Sequence, residues 1–186
     1  MARWQPDAQG RLSAAALELF EERGYEQVTV ADIAARAGLT ARTFFRHFSD
    51  KREVLFGGAD TLLDLLAGAV ADAPTQAPPL DIVGDALAAV SEVIGGDRAF
   101  SRRRAALISA HPELQERELS KLASWSRTLA GALAARGVPA AEADLAAETG
   151  VAVFRVGFDA WLAGPSRRTL AATVRASIDQ LRHLAR

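Results

Sequence analysis

Arg42, Arg46, His47 and Lys51 stand among Phe44, Phe45 and Phe48 in the stretch LTARTFFRHFSDK at residues 39–51. Cations at this density can neutralise phosphates or fork onto a base edge, and the hydroxyls of Thr40 and Thr43 can bond to either. The aromatics have two roles open to them: a small core whose rim carries the cations, or part of a mixed binding surface. Drawn as a helix from Arg42 at 100° per residue, Arg46 lies about 40° away, Thr43 about 100° and His47 about 140°, whereas Phe44, Phe48 and Phe45 lie at about 200°, 240° and 300°. Cations and hydroxyl share one arc and the aromatics the other, which favours a core with a polar reading edge. Between Arg36 and Arg52 the local net charge is +4, in a chain whose formal total is −1. The total excludes a generally basic protein that coats nucleic acid. A confined basic surface is the footprint of duplex DNA contact.

The elements that must position this arc are helical. The chain has 186 residues, 49% apolar and 24% charged, and its apolar residues recur at helical rather than alternating spacing. Leu12, Ala16, Leu19 and Phe20 form one face, ended by Gly24. Thr29 is a good N-cap for a second helix with inner face Val30, Ile33, Ala34 and Ala37, and Asp32 sits in its first turn, where the helix dipole favours an anion. Gly38 ends it, and Thr40 caps a third helix through His47. A fourth runs from Lys51 to about residue 72. Prolines 74, 78 and 79 mark a linker, PTQAPP, and Pro112, Pro139 and Pro165 stand where later helices begin. The expectation is an all-α chain of about nine helices, with spans near 11–23, 30–37, 41–47, 51–72, 80–95, 98–110, 113–136, 140–163 and 166–185. It divides into residues 1–50 and 51–186.

Residues 30–49 fit a helix-turn-helix for steric reasons. Ala34 is small where two helices cross, Gly38 supplies a left-handed turn, and Phe44 is apolar where the second helix docks on the first. With these residues in place, GYEQVTVADIAARAGLTARTFFRHFSDKREVLF resembles the N-terminal DNA-binding domain of the tetracycline-repressor-like (TetR) family of bacterial transcriptional regulators. The likeness covers roughly residues 11–56. It implies that Thr29 approaches a phosphate, that Thr40, Arg42 and Thr43 face the major groove, and that His47 and Lys51 meet the DNA backbone. The family most often has tyrosine where Phe45 stands, with its hydroxyl on a phosphate. Phe45 has no such hydroxyl, which leaves Arg46 or His47 as substitutes. For Arg42 two contacts are open: a bidentate bond to guanine, about 1–3 kcal/mol of discrimination, or a phosphate. Arg3 and Trp4 are either an arm toward a groove or a frayed terminus.

In the C-terminal two-thirds, Ala147, Val151, Phe154, Phe158 and Trp161 step as a helix seam does, with Gly150 and Gly157 as points of close approach. Leu170, Val174, Ser177, Leu181 and Leu184 make a second seam. These stripes suit either one subunit's core or a four-helix interface between two subunits. The interface is preferred, because a short recognition helix gains affinity from a two-fold copy, and the family resemblance implies the same homodimer. Phe100 and Trp125 are candidates to line an effector pocket. Arg155 and Asp159, close to Glu148 on one helical stripe, would orient a polar or charged ligand, join the interface or form a solvated ion-pair face. The run Arg102–Arg103–Arg104 circles its helix and reads as surface.

Cysteine is absent and the three histidines are scattered, so no thiolate or histidine metal site, phosphate-cradling loop or nucleophile elbow is expected. No run approaches the roughly 18 apolar residues of a membrane span. The expectations are a cytoplasmic, non-enzymatic chain without a cofactor: a homodimeric repressor that binds a palindromic double-stranded DNA operator and is released by a small-molecule effector. The alternatives are a constitutive helical DNA-binding scaffold without an effector and, after it, an enzyme whose site assembles only in space.

Overall fold

Nine α-helices and two short 3-10 turns, without a strand, make up the described residues, 8–164 and 167–184, of the computed structural model. The helices are α1 Ala8–Arg23, α2 Val30–Arg36, α3 Ala41–His47, α4 Ala59–Ala71, α5 Pro79–Ile94, α6 Arg98–Ala110, α7 Pro112–Ala135, α8 Ala140–Ala163 and α9 Leu170–Leu184. Arg3 and Trp4 lie outside the described residues. The chain forms two compact units. The first takes the residues up to Ala59 together with Arg103–Leu114, and the second takes Asp60–Arg102 and the residues from Gln115 onward. The division at residue 50 expected from sequence lies nine residues before this boundary, and the first unit also takes in α6 from Arg103 onward.

Two helices start later than expected, both because a local cap acts first. Residues 51–58 do not join α4. The Asp50 carboxylate accepts from the Arg52 and Glu53 amides, Glu53–Phe56 tightens into a 3-10 turn, and Gly58 at φ 78° breaks the helical path. The 19-residue stretch Glu53–Ala71 is apolar enough for a membrane span, at mean hydropathy 1.6 in its most apolar 18-residue window, an exception to the expectation above. The break leaves α4 with 13 residues, about 20 Å of helix against a hydrocarbon core of about 30 Å. Likewise α9 begins at Leu170 rather than 166, because Thr169 caps it by accepting from the Ala172 amide.

In the first unit, Leu12, Leu17, Phe20, Ile33, Phe44 and Val54 close the core around α1. The Arg102–Arg104 run is not idle surface. Arg103 pairs with Glu21, Arg104 donates to the Leu55 carbonyl and covers the Phe56 ring, and Arg102, in the second unit, donates to the Leu162 carbonyl. Arg98 donates to the Trp161 and Gly164 carbonyls at the same end of α8, where the helix dipole favours a cation. Arg136 does the same for α4, bonding Val70, Ala71 and the linker carbonyl of Pro74.

The second unit packs α5 against α8 and α9. A Cβ at Gly150 would lie 2.2 Å from Val83 Cγ1, and one at Gly157 would lie 3.1 Å from Ser177 Oγ and 3.4 Å from Val174. This corrects the expected subunit seam. Gly150, Phe154, Gly157, Trp161 and Val174 are buried within their own unit, with Phe158 and Leu181 half-buried beside them. The opposite side of α8 is open: Leu145 is 69% exposed and Val156 63%, on a stripe with Ala152. On α9 the open residues include Ala172 and Ala176.

Candidate nucleic-acid interface

The turn between α2 and α3 is built by short-range bonds and one distant arginine. Thr29 and Asp32 form a capping box at the start of α2, each side chain bonding the other's backbone amide. Gly38, at φ 65°, lets the chain reverse while its amide and that of Leu39 bond back to Ala35 and Ala34. Arg11 reaches from α1 to donate to the Ala37 carbonyl and so holds the end of α2. Thr40 then caps α3 by accepting from the Thr43 amide, and the two hydroxyls lie 3.1 Å apart. Phe44 is fully buried and Phe48 nearly so, with ring centroids 5.4 Å apart. Burial of these two rings, worth about 1.5–3 kcal/mol each, fixes which arc of α3 faces outward.

That outward arc carries Arg42, Phe45, Arg46 and His47, all exposed, with Thr40 exposed beside it and Thr43 half-exposed. Arg42 makes no hydrogen bond or ion pair with the described residues, and Arg46 meets only the His47 ring, at 3.4 Å. The other cations of the segment are engaged. Arg36 is clamped by Glu22 at 2.6 Å and also meets Glu18, and its hydrogen bond holds the Glu22 carboxyl below the usual carboxylate range. Arg52 pairs with Asp50 and lowers it in the same way. The local charge of +4 counted along the sequence is therefore concentrated on fewer groups, centred on Arg42 and Arg46.

Lys51 has a structural task that the spacing did not suggest. Its Nζ donates to the Tyr25 carbonyl at 2.9 Å and lies 4.3 Å over the Tyr25 ring, which also packs on Phe20 and His111. Burial pushes the Tyr25 phenol to a higher pKa, with Glu113 adding to the shift. At Thr29, the Asp32 carboxylate already occupies the start of α2, kept ionised chiefly by the Thr29 hydroxyl. Arg11 and Tyr25 were missed in the sequence, because their partners lie about 26 residues away along the chain and no periodicity links them.

The four candidate pocket residues are not brought together. Trp125 is fully buried in the second unit, its ring 5.1 Å from Phe154, and Phe154 stacks on Phe158. Phe100 is half-buried on α6, while Arg155 and Asp159 point outward on the open side of α8 beside Val156. Among the described residues no group of histidine or acidic side chains could hold a metal ion.

Comparison with known proteins agrees with this geometry. Residues 12–56 match the family described as bacterial regulatory proteins, tetR family, and residues 77–185 match the MftR C-terminal domain. Over 67% of its length the chain is 31% identical to a candidate mycofactocin biosynthesis transcriptional regulator, MftR, of Mycobacterium tuberculosis H37Rv. Over 75% it is 32% identical to the HTH-type transcriptional regulator TcmR of Streptomyces glaucescens. The matches span 63% and 65% of those two relatives. The SmeT–triclosan complex superposes with a TM-score of 0.64 at 18% identity, covering 95% of this chain and 90% of that one. Thermus thermophilus FadR bound to lauroyl-CoA gives 0.57 at 20% identity, covering 93% and 92%. The C-terminal match alone takes in more than half of the sequence, and with the helix-turn-helix match it establishes that the chain belongs to the tetR family of bacterial regulatory proteins.

Proposed function

We propose that the chain acts as a homodimeric repressor that binds a near-palindromic DNA operator and is released by a small organic effector. The observation that carries this is α3 itself: a capped, docked helix whose exposed arc holds Arg42 and Arg46 without acidic partners among the described residues. Arg42 is the candidate for a bidentate base contact, with Thr40 and Thr43 beside it and His47 at the backbone. Lys51, tied to Tyr25, has donor capacity left for a phosphate. Two copies of α3 would enter major grooves one helical turn, or a multiple, apart.

The dimer reading moves to the open side of α8. Leu145, Ala152 and Val156 fall within about 20° of one line by helical geometry, and the small side chains of Ala152, Ala172 and Ala176 let a second copy's helices approach closely. A four-helix arrangement of α8 and α9 from two subunits would cover this face. The effector reading rests on the core of the second unit. There Trp125 Nε1 and Ser126 Oγ are buried without a hydrogen-bond partner among the described residues, and Lys121, paired with Glu118 at 2.6 Å, lies over the Trp125 ring. Buried polar atoms of this kind are few in native cores, and an acceptor on an aromatic or aliphatic effector would satisfy them. SmeT is described as the repressor of an efflux pump and its complex holds triclosan, and Thermus thermophilus FadR is described as a repressor with lauroyl-CoA bound. An effector would weaken DNA binding only by the difference in its affinity for the competent and incompetent conformations.

Selection of bound DNA from a random pool by the full chain tests this reading. An enriched inverted repeat, bound as one dimer by light scattering, is the expected outcome. Recovery of no common site would overturn the assignment. With the site in hand, Arg42→Ala should reduce base preference by about 1–3 kcal/mol at one position per half-site. Lys51→Ala should weaken all DNA equally and flatten the salt dependence.

A further inference from the structure

Phe45 is the feature that the backbone-contact scheme leaves unexplained. Every other phenylalanine or tyrosine described in residues 8–59 is at most 5% exposed, namely Phe20, Tyr25, Phe44, Phe48 and Phe56, whereas Phe45 is 58% exposed. It is not a loose ring. Its centroid lies 5.6 Å from that of the fully buried Phe44, edge to face at 80°, so its position is set by the core beneath it. Helical geometry puts it about 60° from Arg42, on the border of the cationic arc. An apolar ring displayed beside arginines that have no acidic partner among the described residues is poorly placed to meet an apolar protein surface, and the flanking charge selects a polyanion.

We propose that Phe45 reads the 5-methyl group of a thymine in the major groove and is a specificity-determining residue of this interface; the inference rests on the DNA-binding role assigned above to α3. A phenyl ring has no donor or acceptor for a phosphate. The apolar group presented on the base edges of the major groove is the thymine methyl, at the side of the groove nearest its own strand's backbone. A residue at the rim of the recognition arc, rather than at its centre, reaches that side. The ring thereby loses exposed apolar area on binding, a gain realised only where thymine stands.

The test uses the full chain and the operator recovered by selection, with affinities measured by fluorescence anisotropy at one fixed salt concentration. Each thymine of a half-site is replaced in turn by deoxyuridine, which removes only the methyl. One thymine per half-site should be sensitive, losing about 3–5-fold, the effect of withdrawing one methyl from apolar contact. Phe45→Ala should abolish the sensitivity at that position and leave the other positions and the salt slope unchanged, while Phe45→Leu should retain part of it. Circular dichroism melts of both variants should match the parent, and if Phe45→Ala melts lower, Phe45→Leu carries the comparison. The proposal is overturned if no thymine is sensitive or if the sensitivity is undiminished in the variant that carries the comparison. It is also overturned if Phe45→Tyr tightens all operators equally with a steeper salt slope, which would assign the position to a phosphate. Failure to recover any operator would instead remove the DNA-binding reading on which it rests.

Discussion

α3 and α8 each press one side into a core and leave the other open, but they do so with different chemistry. On the 7 residues of α3 the two sides differ in kind: Phe44 inside, and Arg42, Arg46 and His47 outside. On the 24 residues of α8 aliphatic and small residues stand on both sides, with Glu148, Arg155 and Asp159 among them on the open one. Val151, Phe154 and Trp161 pack inward, while Leu145, Ala152 and Val156 stand outward at the same helical repeat. The lesson is that amphipathic contrast, not periodicity, orients a helix. Where the contrast is aromatic against cationic, only one side can be desolvated cheaply. Where apolar residues stand on both sides, the choice falls also to the shapes that meet, here Gly150 against Val83 and Gly157 against Val174.

The comparison can be broken most sharply on α3. Phe44→Ala should cost about 3–5 kcal/mol and abolish DNA binding, whereas Phe45→Ala should stay within about 0.5 kcal/mol of the parent. Denaturant melts of the two variants would decide it, and equal losses would mean that the sides of α3 are misassigned. On α8 the largest effect is expected in association rather than folding. Val156→Arg should keep the parental melt yet weaken dimerisation by about 2 kcal/mol or more, seen as dissociation in sedimentation velocity. A variant that remains fully dimeric would return the seam to another face.

Gly150→Ala should destabilise by about 1–3 kcal/mol, since its new methyl must displace Val83. Gly131→Ala in α7, where a Cβ meets nothing within 4 Å, should stabilise by up to about 1 kcal/mol. Thermal melts giving the same sign for both would contradict the close packing of α8 on α5. The smallest effect expected is on pH dependence. The Asp32 carboxyl is held below its ordinary value of 3.8, first by the Thr29 hydroxyl and then by the Thr29 amide. A depressed carboxylate contributes stability above the ordinary value and loses it as pH falls through the folded one. Acid melts should therefore fall more steeply below pH 3.8 for the parent than for Asp32→Asn.

The helix-turn-helix was legible because its determinants are local. Thr29 with Asp32, Thr40 with Thr43, and Gly38 act within three or four residues of one another, so their spacing is itself the structure. The charge pattern was legible only as a sum. That Arg36 belongs to Glu22, that Lys51 lies over Tyr25, and that Arg11 holds the Ala37 carbonyl depends on how α1 crosses the later helices. The start of α4 was misjudged because its apolar residues continue through Gly57 and Gly58 while the backbone does not.

By itself, then, the sequence determined an all-helical chain, the position of the recognition helix and which of its sides is polar, because caps, turns and strong amphipathic contrast are written within a few residues. Tertiary structure alone decided which stripe of α8 is core, which arginines remain without acidic partners, and that Phe45 stands exposed while its neighbour Phe44 is buried. Those outcomes depend on long-range complementarity of shape and charge. A helical repeat specifies which residues share a side, but not what that side will meet.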